Sequence, residues 1–403
     1  MIRDVDLGRL ARTTDEIFSL DELKSKLATK RPLRIKYGVD VTAPFLHIGH
    51  AVNLWMMRYL QEQGHVVVFL VGDFTTRIGD PTGKSGTRVA PPREEIEKNA
   101  TEFIRQVGTV LLTDPAVFEV RRNSEWFDKM SLDQFMSLLS LVTHSRLIQR
   151  DMFQRRIQQN AEIYLHEMLY PILQGYDSVM LKSDMTIVGS DQLFNEMMGR
   201  MYQEKFGQPQ QIIITTKITP GTDGKQKQSK SLGNYIALAD SPRDKFGKAM
   251  SIPDELTASY LDIYTQVTPE TVAAVKKGLA DGSLHPMEAK KQMAVALVEL
   301  YHGADAGRAE RAWFEEAFGA KKTPDDVPEV EVEAEGTLLE LLKVCEPDQS
   351  KSALRRLLEQ GAVRLNDEKL SVEQAEKPLA RAQGDILKLG KRKWVKLVIK
   401  PKA

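Results

Sequence analysis

The chain has 403 residues, 42% of them hydrophobic and 28% charged, and its 56 basic and 56 acidic side chains cancel. At about 150 residues per domain this is a globular chain of two or three domains, and the balanced charge argues neither for nor against a nucleic-acid partner. One cysteine, Cys345, excludes an internal disulfide framework and a thiolate zinc site. No apolar run approaches the ~20 residues that cross a bilayer, and the opening MIRDVDLGRL has no apolar signal core. A cytoplasmic chain without a membrane partner is expected.

In chain order, LRIKYGVD (Leu33 to Asp40) reads as a strand ending in a turn. HAVNLWMMRYLQEQG follows with apolar residues at helical spacing and Gly64 as its stop. HVVVFLVGDF is a near-continuous apolar run, as a strand covered on both faces would be. Strand, helix and strand within some forty residues predict a βαβ unit and a parallel sheet. QIIITTKI (Gln211 to Ile218) predicts a third strand. The region 92–200 between them reads as mostly helical, an insertion plus helices packed on the sheet. From Ser241 to Gly319 the pattern is helical and amphipathic. PDDVPEVEVEAEG (Pro324 to Gly336) is acidic and proline-spotted, like a linker, and after it Lys351 to Ala403 carries 14 basic against 6 acidic side chains. No internal repeat is visible.

Parallel α/β sheets bind ligands at the carboxyl ends of their strands. Three polar clusters fall there: GVDVTAPFLHIGH, GDFTTRIGDPTGKS and TPGTDGKQKQSKSLGN. In the first, His47 and His50 flank Gly49 at a predicted helix start. Two surface histidines are the simplest reading, and a metal site lacks a third ligand nearby. The alternative is an anion site, since a helix N-terminus offers unpaired N–H groups and a positive dipole end. The second cluster is not a phosphate loop: the spacing before Gly83-Lys84-Ser85 needs glycine at 78, where Ile78 stands. The third is either a solvated loop or a mobile segment whose Lys227 and Lys230 bring point charges to a polyphosphate.

Taken together and in this order, HIGH (His47 to His50) and KQSKS (Lys227 to Ser231) strongly resemble the two signature motifs of the class I aminoacyl-tRNA synthetases. YPILQGYD (Tyr170 to Asp177) and GSDQ (Gly189 to Gln192) resemble the tyrosyl family within that class. The resemblance covers nearly the whole chain. It implies a doubly wound, Rossmann-like catalytic domain over 1–220, with a helical dimerisation insertion over about 95–165. It further implies a lysine loop and helical anticodon-side domain over 221–320, an acidic linker over 321–336, and a small α+β RNA-binding domain over 337–403. The implied reaction joins tyrosine to AMP from ATP, with magnesium, then to the 3′ end of tRNA, in a homodimer. The carboxylate of the amino acid is itself the nucleophile, so the protein acts by position and charge.

By the same resemblance, His47, His50, Lys227, Lys230 and Lys84 act on the phosphates. Gly49, Thr42, Gly189, Asp191, Ser229 and Ser231 hold the rest of ATP, Asp191 through the ribose. Tyr170, Gln174 and Asp80 take the substrate ammonium, and Gln192 lies near its carboxylate. Asp177 accepts a hydrogen bond from the phenol, while Asp40 and Thr75 line the same pocket. Independently of the resemblance, Tyr170, Gln174 and Asp177 share one face of a helix at i, i+4 and i+7, as they would on the wet face of any amphipathic helix.

Four positions depart from the family pattern. Gln228 replaces the usual methionine of the second motif, which should alter loop packing. Val188 precedes Gly189 where a second glycine is common. Lys36 stands where many members have a tyrosine that touches the phenol, and Tyr37 should point to the other side of the strand. Arg77 adds an unusual charge beside the site. The segment after Thr337 resembles the S-four RNA-binding domain: two short helices, a turn at Gly361, and strands. Its Lys351, Arg355, Arg356, Lys391, Arg392 and Lys393 would contact phosphates. Two rivals are the tryptophanyl family, which gives no reason for Asp177, and a synthetase-like RNA-binding protein without aminoacylation.

Overall fold

Strands β1 (Thr14–Phe18), β2 (Arg34–Val39), β3 (Val66–Val71), β4 (Phe118–Arg122), β5 (Met185–Gly189) and β6 (Ile212–Thr216) form one sheet in the order β1-β6-β5-β2-β3-β4. These coordinates come from a computed structural model, which describes residues 2–42, 45–79, 91–229, 232–319, 327–347, 349–366, 368–390 and 393–400. All neighbours in the sheet run parallel except β1, which is antiparallel to β6. The chain folds into two compact units, Met1–Ala312 and Trp313–Ala403.

The β-branched run of β3 is buried on both faces, as its composition requires. Val67, Phe69 and Val71 join Ile35, Tyr37 and the helix residues Leu54 and Met57 in one core layer. Val68 and Leu70 join Trp126, Phe127 and Leu173 in the opposite layer. A strand alternates faces, so Tyr37 enters the first layer and Lys36, beside it, faces the second.

The expected βαβ unit is β2, the helix Ile48–Glu62 and β3. Strands β1, β4 and β5 lie in stretches where no strand was expected. β4 is an edge strand whose FEVRR sequence buries little, and β5 is five residues between polar flanks. Because β5 lies against β2, the chain reverses direction across the sheet between them. A crevice opens at such a reversal, and the first polar cluster and the Gly189–Gln192 turn both emerge there.

The helices beyond the lysine segment, Pro242–Ser251, Thr257–Tyr264, Pro269–Asp281 and Pro286–His302, belong to the first unit. Three of them start with a capping side chain followed by proline: Ser241-Pro242, Thr268-Pro269 and His285-Pro286. The cap accepts a free N–H, and proline sits where no N–H is needed.

The second unit contains the helices Leu338–Cys345 and Lys351–Glu359. Its sheet, in the order β7-β11-β10-β8-β9, comprises β7 (Glu329–Val332), β8 (Val363–Leu365), β9 (Glu368–Lys369), β10 (Ile386–Leu389) and β11 (Lys393–Ile399). The acidic stretch expected as a linker thus supplies a strand, pairing Glu329 to Val332 in parallel with Lys396 to Ile399. Alternation of Val330 and Val332 with glutamates places one side on the core and the other in water.

Candidate active site

A cavity of about 690 Å³ opens at the β2–β5 reversal. Asp40 and Thr42 leave β2 into it, Thr75 follows β3, and Asp191 and Gln192 follow β5. Tyr170, Gln174 and Asp177 enter from the helix Leu165–Met180 and line the cavity together, Tyr170 and Asp177 otherwise buried.

Two hydrogen-bonded chains line this cavity. In one, Tyr170 donates its hydroxyl to Asp40 Oδ2 at 3.1 Å, and Thr75 donates to Asp40 Oδ1 at 2.8 Å. Asn123 Nδ2 then donates to Thr75 Oγ1 at 3.0 Å and more weakly to Asp177 Oδ2 at 3.5 Å. In the other, Lys36 Nζ pairs with Glu196 Oε2 at 2.7 Å, with both side chains 2% exposed. Glu196 accepts from Gln174 Nε2 at 2.8 Å, and Asn195 Nδ2 bridges Gln174 Oε1 at 2.8 Å and Gln192 Oε1 at 3.0 Å. Fixed amides and carboxylates of this kind hold their geometry before a substrate arrives.

Asp177 sits at the buried end, where Trp126 Nε1 donates to its Oδ1 at 3.0 Å. Burial pushes its carboxyl up to about 8, against the pull of the Lys36 charge and of the Trp126 and Asn123 hydrogen bonds. Trp126, Asn123, Ser178 and Glu196 were not singled out in the sequence. Asn123 and Trp126 follow the unrecognised β4. Glu196 was legible only as a polar residue spaced with Gln192 and Asn195 on one helical face.

The histidine motif is joined directly to the stretch that follows the lysine segment. Ile48 N–H donates to Ile236 O at 3.0 Å and Leu238 N–H donates to Leu46 O at 2.9 Å, flanking an antiparallel bridge between His47 and Ala237. The chain leaving the lysine segment is thereby stitched to the chain entering the histidine motif. Lys245 reinforces the stitch from the helical side, donating to Ala237 O at 2.7 Å and Leu238 O at 3.1 Å.

At the helix start the two imidazoles lie 3.9 Å apart, centroid to centroid. His47 N–H donates to His50 Nδ1 at 3.3 Å, which places the proton of a neutral His50 on Nε2. A smaller adjoining recess of about 180 Å³ is lined by His47, Gly49, His50, Gly189, Asp191, Lys227 and Gln228, among others. A β-carbon on Gly49 would lie 2.9 Å from His47 Nδ1, and one on Gly189 would lie 2.8 Å from Asp191 Oδ1. Both glycines therefore keep this floor open. Lys227 Nζ rests 2.9 Å from Asp191 Oδ2, and Ser229 lines the larger cavity.

Of the departures, Gln228 is nearly buried and donates to Tyr264 Oη at 2.9 Å, tying the lysine segment to the helix Thr257–Tyr264. Val188 lines the cavity. Arg77 turns aside to Asp128 at 2.8 Å and over the Phe74 ring. Asp80, Lys84, Lys230 and Ser231 lie outside the described residues. In the second unit, Lys351, Arg355 and Arg356 are exposed on one helix, with Arg355 paired to Glu376. Lys391 and Arg392 lie outside the described residues, and Lys393 begins β11.

Residues 28–319 match the family described as tRNA synthetases class I (W and Y). The sequence is 42% identical over 393 residues to a tyrosine–tRNA ligase of Moorella thermoacetica, covering 96% of this chain and 94% of that one. It is 39% identical over 394 residues to a tyrosine–tRNA ligase of Thermotoga maritima, covering 96% of each. In fold it is similar to the tyrosyl-tRNA synthetase of Archaeoglobus fulgidus solved with L-tyrosine, with a TM-score of 0.58 at 21% identity over 74% of this chain and 97% of that one.

Proposed function

The chain belongs to the class I tRNA synthetase family of the W and Y group, and from that premise we propose a residue-level account of a tyrosine–tRNA ligase. The enzyme activates tyrosine with ATP, releasing pyrophosphate, and then transfers the tyrosyl group to the 3′ end of tRNA. The observation that carries this reading is the stitch between Leu46–Ile48 and Ile236–Leu238, which puts imidazoles and the lysine segment on one recess beside a pocket ending in Asp177.

The tyrosine carboxylate attacks the α-phosphorus, and the bond to the bridging oxygen of pyrophosphate breaks. No protein nucleophile is needed. The work is to align two anions and to neutralise charge that grows on phosphate oxygens. His47 and His50 donate to those oxygens at the helix tip, whose backbone adds its own positive end. Lys227 and Lys230 supply positive charge, and Lys84 and Ser231 assist. Thr42, Gly49, Gly189 and Ser229 shape the nucleotide floor, with Asp191 on the ribose. ATP enters with magnesium as its counter-ion, both as substrate. Asp40, Thr75, Asp80, Tyr170, Gln174 and Gln192 position the amino-acid head group. A pocket that ties up a hydroxyl rejects the analogue without it by ~10⁴ to 10⁵, because its buried polar groups are left unpaired.

The second unit holds tRNA through Lys351, Arg355, Arg356, Lys391, Arg392 and Lys393, by salt-dependent phosphate contact. Leu132, Met136 and Leu165 are 74%, 56% and 79% exposed. Three large apolar side chains in water on one insertion fit a homodimer contact. No described helix is long and apolar enough to cross a membrane, and the protein works in the cytoplasm.

The test is amino-acid-dependent exchange of labelled pyrophosphate into ATP. Tyrosine should support it, with phenylalanine and tryptophan lower by at least a thousandfold. Exchange with tryptophan alone, or with no amino acid, refutes the reading.

A further inference from the structure

The buried cation at the blind end of the cavity is the feature that the general scheme does not use. Lys36 projects from β2 on the face opposite Tyr37 and lines the same cavity as Asp177. An ammonium has three N–H donors. One goes to Ser178 Oγ at 2.8 Å and one to Glu196 Oε2 at 2.7 Å. Ser178 and Glu196 themselves are fully buried, and Glu196 is held further by Gln174 and by Gln211 Nε2 at 2.9 Å. The lysine cannot swing away, because leaving Glu196 would abandon a buried charge.

We propose that Lys36 is a specificity-determining residue that donates its third N–H to the side-chain oxygen of the bound amino acid while Asp177 handles that group's proton, so the pocket accepts phenolate as well as phenol. The proposal rests on the tyrosine-activating reading and adds to it a substrate class: aromatic amino acids with an acidic para hydroxyl. The chemistry of the pair supports it. A fixed cation stabilises an oxygen anion in a dry site far more than in water. Burial keeps the proton on Asp177 up to about 8, so near neutral pH its carboxyl donates to a phenolate rather than repelling it.

The experiment compares pyrophosphate exchange with tyrosine, phenylalanine and a ring-fluorinated tyrosine whose phenol is ionised at the assay pH. Wild type should use the fluorinated substrate within about tenfold of tyrosine in kcat/KM. Removing Lys36 alone strands Glu196, so the informative variant is the double substitution Lys36→Met with Glu196→Gln. The new amide still accepts from Gln174, and Gln211, whose Oε1 is buried without a partner, can turn to receive its NH₂. Losing one hydrogen bond from a charged group should lower kcat/KM for tyrosine by about 10- to 100-fold. The loss should appear mainly in the KM for tyrosine, be larger for the fluorinated substrate and be under threefold for phenylalanine. Thermal melting checks that the variant folds. A folded variant that keeps the wild-type ratio of tyrosine to phenylalanine overturns the proposal. So does a wild type that activates tyrosine and rejects the phenolate by more than a thousandfold. A wild type inactive with every amino acid overturns the underlying reading instead.

Discussion

Lys227 Nζ stands 2.9 Å from Asp191 Oδ2, one residue from the lysine segment and the other from the turn after β5. Two groups assigned to different parts of ATP thus hold each other. The pair is partly exposed, so it adds little to stability. Its interest is that the lysine must leave the carboxylate before either can do its proposed task.

Replacement Lys227→Met should therefore cost rate and not ground-state binding. The expected loss in adenylate formation is ~10² to 10³, the usual effect of one charge-stabilising donor. Tyrosine affinity should move less than twofold, and the KM for ATP should not rise more than about threefold because Asp191 becomes available. Single-turnover kinetics with equilibrium tyrosine binding separates these. Equal losses in binding and rate would contradict the assignment.

Asp177 should make the free protein less stable as pH rises. Its carboxyl keeps its proton in the folded chain up to about 8, against 3.8 for an ordinary exposed aspartate. Between those values unfolding releases a proton, so stability falls with rising pH and levels off above the folded value. Asp177→Asn removes that dependence, while Lys36, Glu196, Trp126 and Asn123 remain around it. The variant should gain on wild type by at least about 3 °C in melting midpoint between pH 5 and pH 9, while tyrosine activation drops more than tenfold. Parallel stability profiles would exclude the burial argument.

Gln228 donates to Tyr264 Oη at 2.9 Å, and the same hydroxyl also bonds Thr219 Oγ1. Tyr264→Phe leaves the Gln228 amide short of a partner, at a cost of about 1 to 3 kcal/mol, and should slow pyrophosphate exchange through the loosened lysine segment. Adding Gln228→Met removes one of the two groups so orphaned, the other being the Thr219 hydroxyl, and the double variant should be more stable than Tyr264→Phe alone. A double-mutant cycle by thermal melting measures this coupling; strict additivity would mean that the contact does not act as a unit.

Leu132 and Leu165 should behave as interface residues. Leu132→Asp with Leu165→Asp should convert a dimer to a monomer in sedimentation velocity without lowering the melting midpoint of the monomer by more than about 3 °C. An unchanged dimer would move the contact elsewhere.

The sequence was most legible where one signal dominated. The run from Val66 to Val71 read as a strand covered on both faces, and the helix Ile48–Glu62 carried both an apolar stripe and a stop at Gly64. Tyr170, Gln174 and Asp177 shared a face by spacing alone. Strand β4 was hidden because an edge strand needs few apolar residues, and with it went Asn123 and Trp126, whose contacts to Thr75 and Asp177 are set by tertiary placement. Lys36 was visible as an oddity, but its ion pair with Glu196 joins positions far apart in the chain, and no local pattern encodes that. The acidic stretch before Gly336 misled because alternating glutamate and valine serves an exposed edge strand as well as a linker.

β11 is the last strand in sequence order yet lies between β7 and β10 in the sheet of the second unit. A nonsense codon just ahead of Lys393 would therefore leave two strands facing each other across a missing rung. Each would present bare amide edges to other molecules. During synthesis the first unit can assemble while this one waits for its middle strand to be made. Truncated translation products should keep amino-acid activation, lose RNA affinity and aggregate through the abandoned edges.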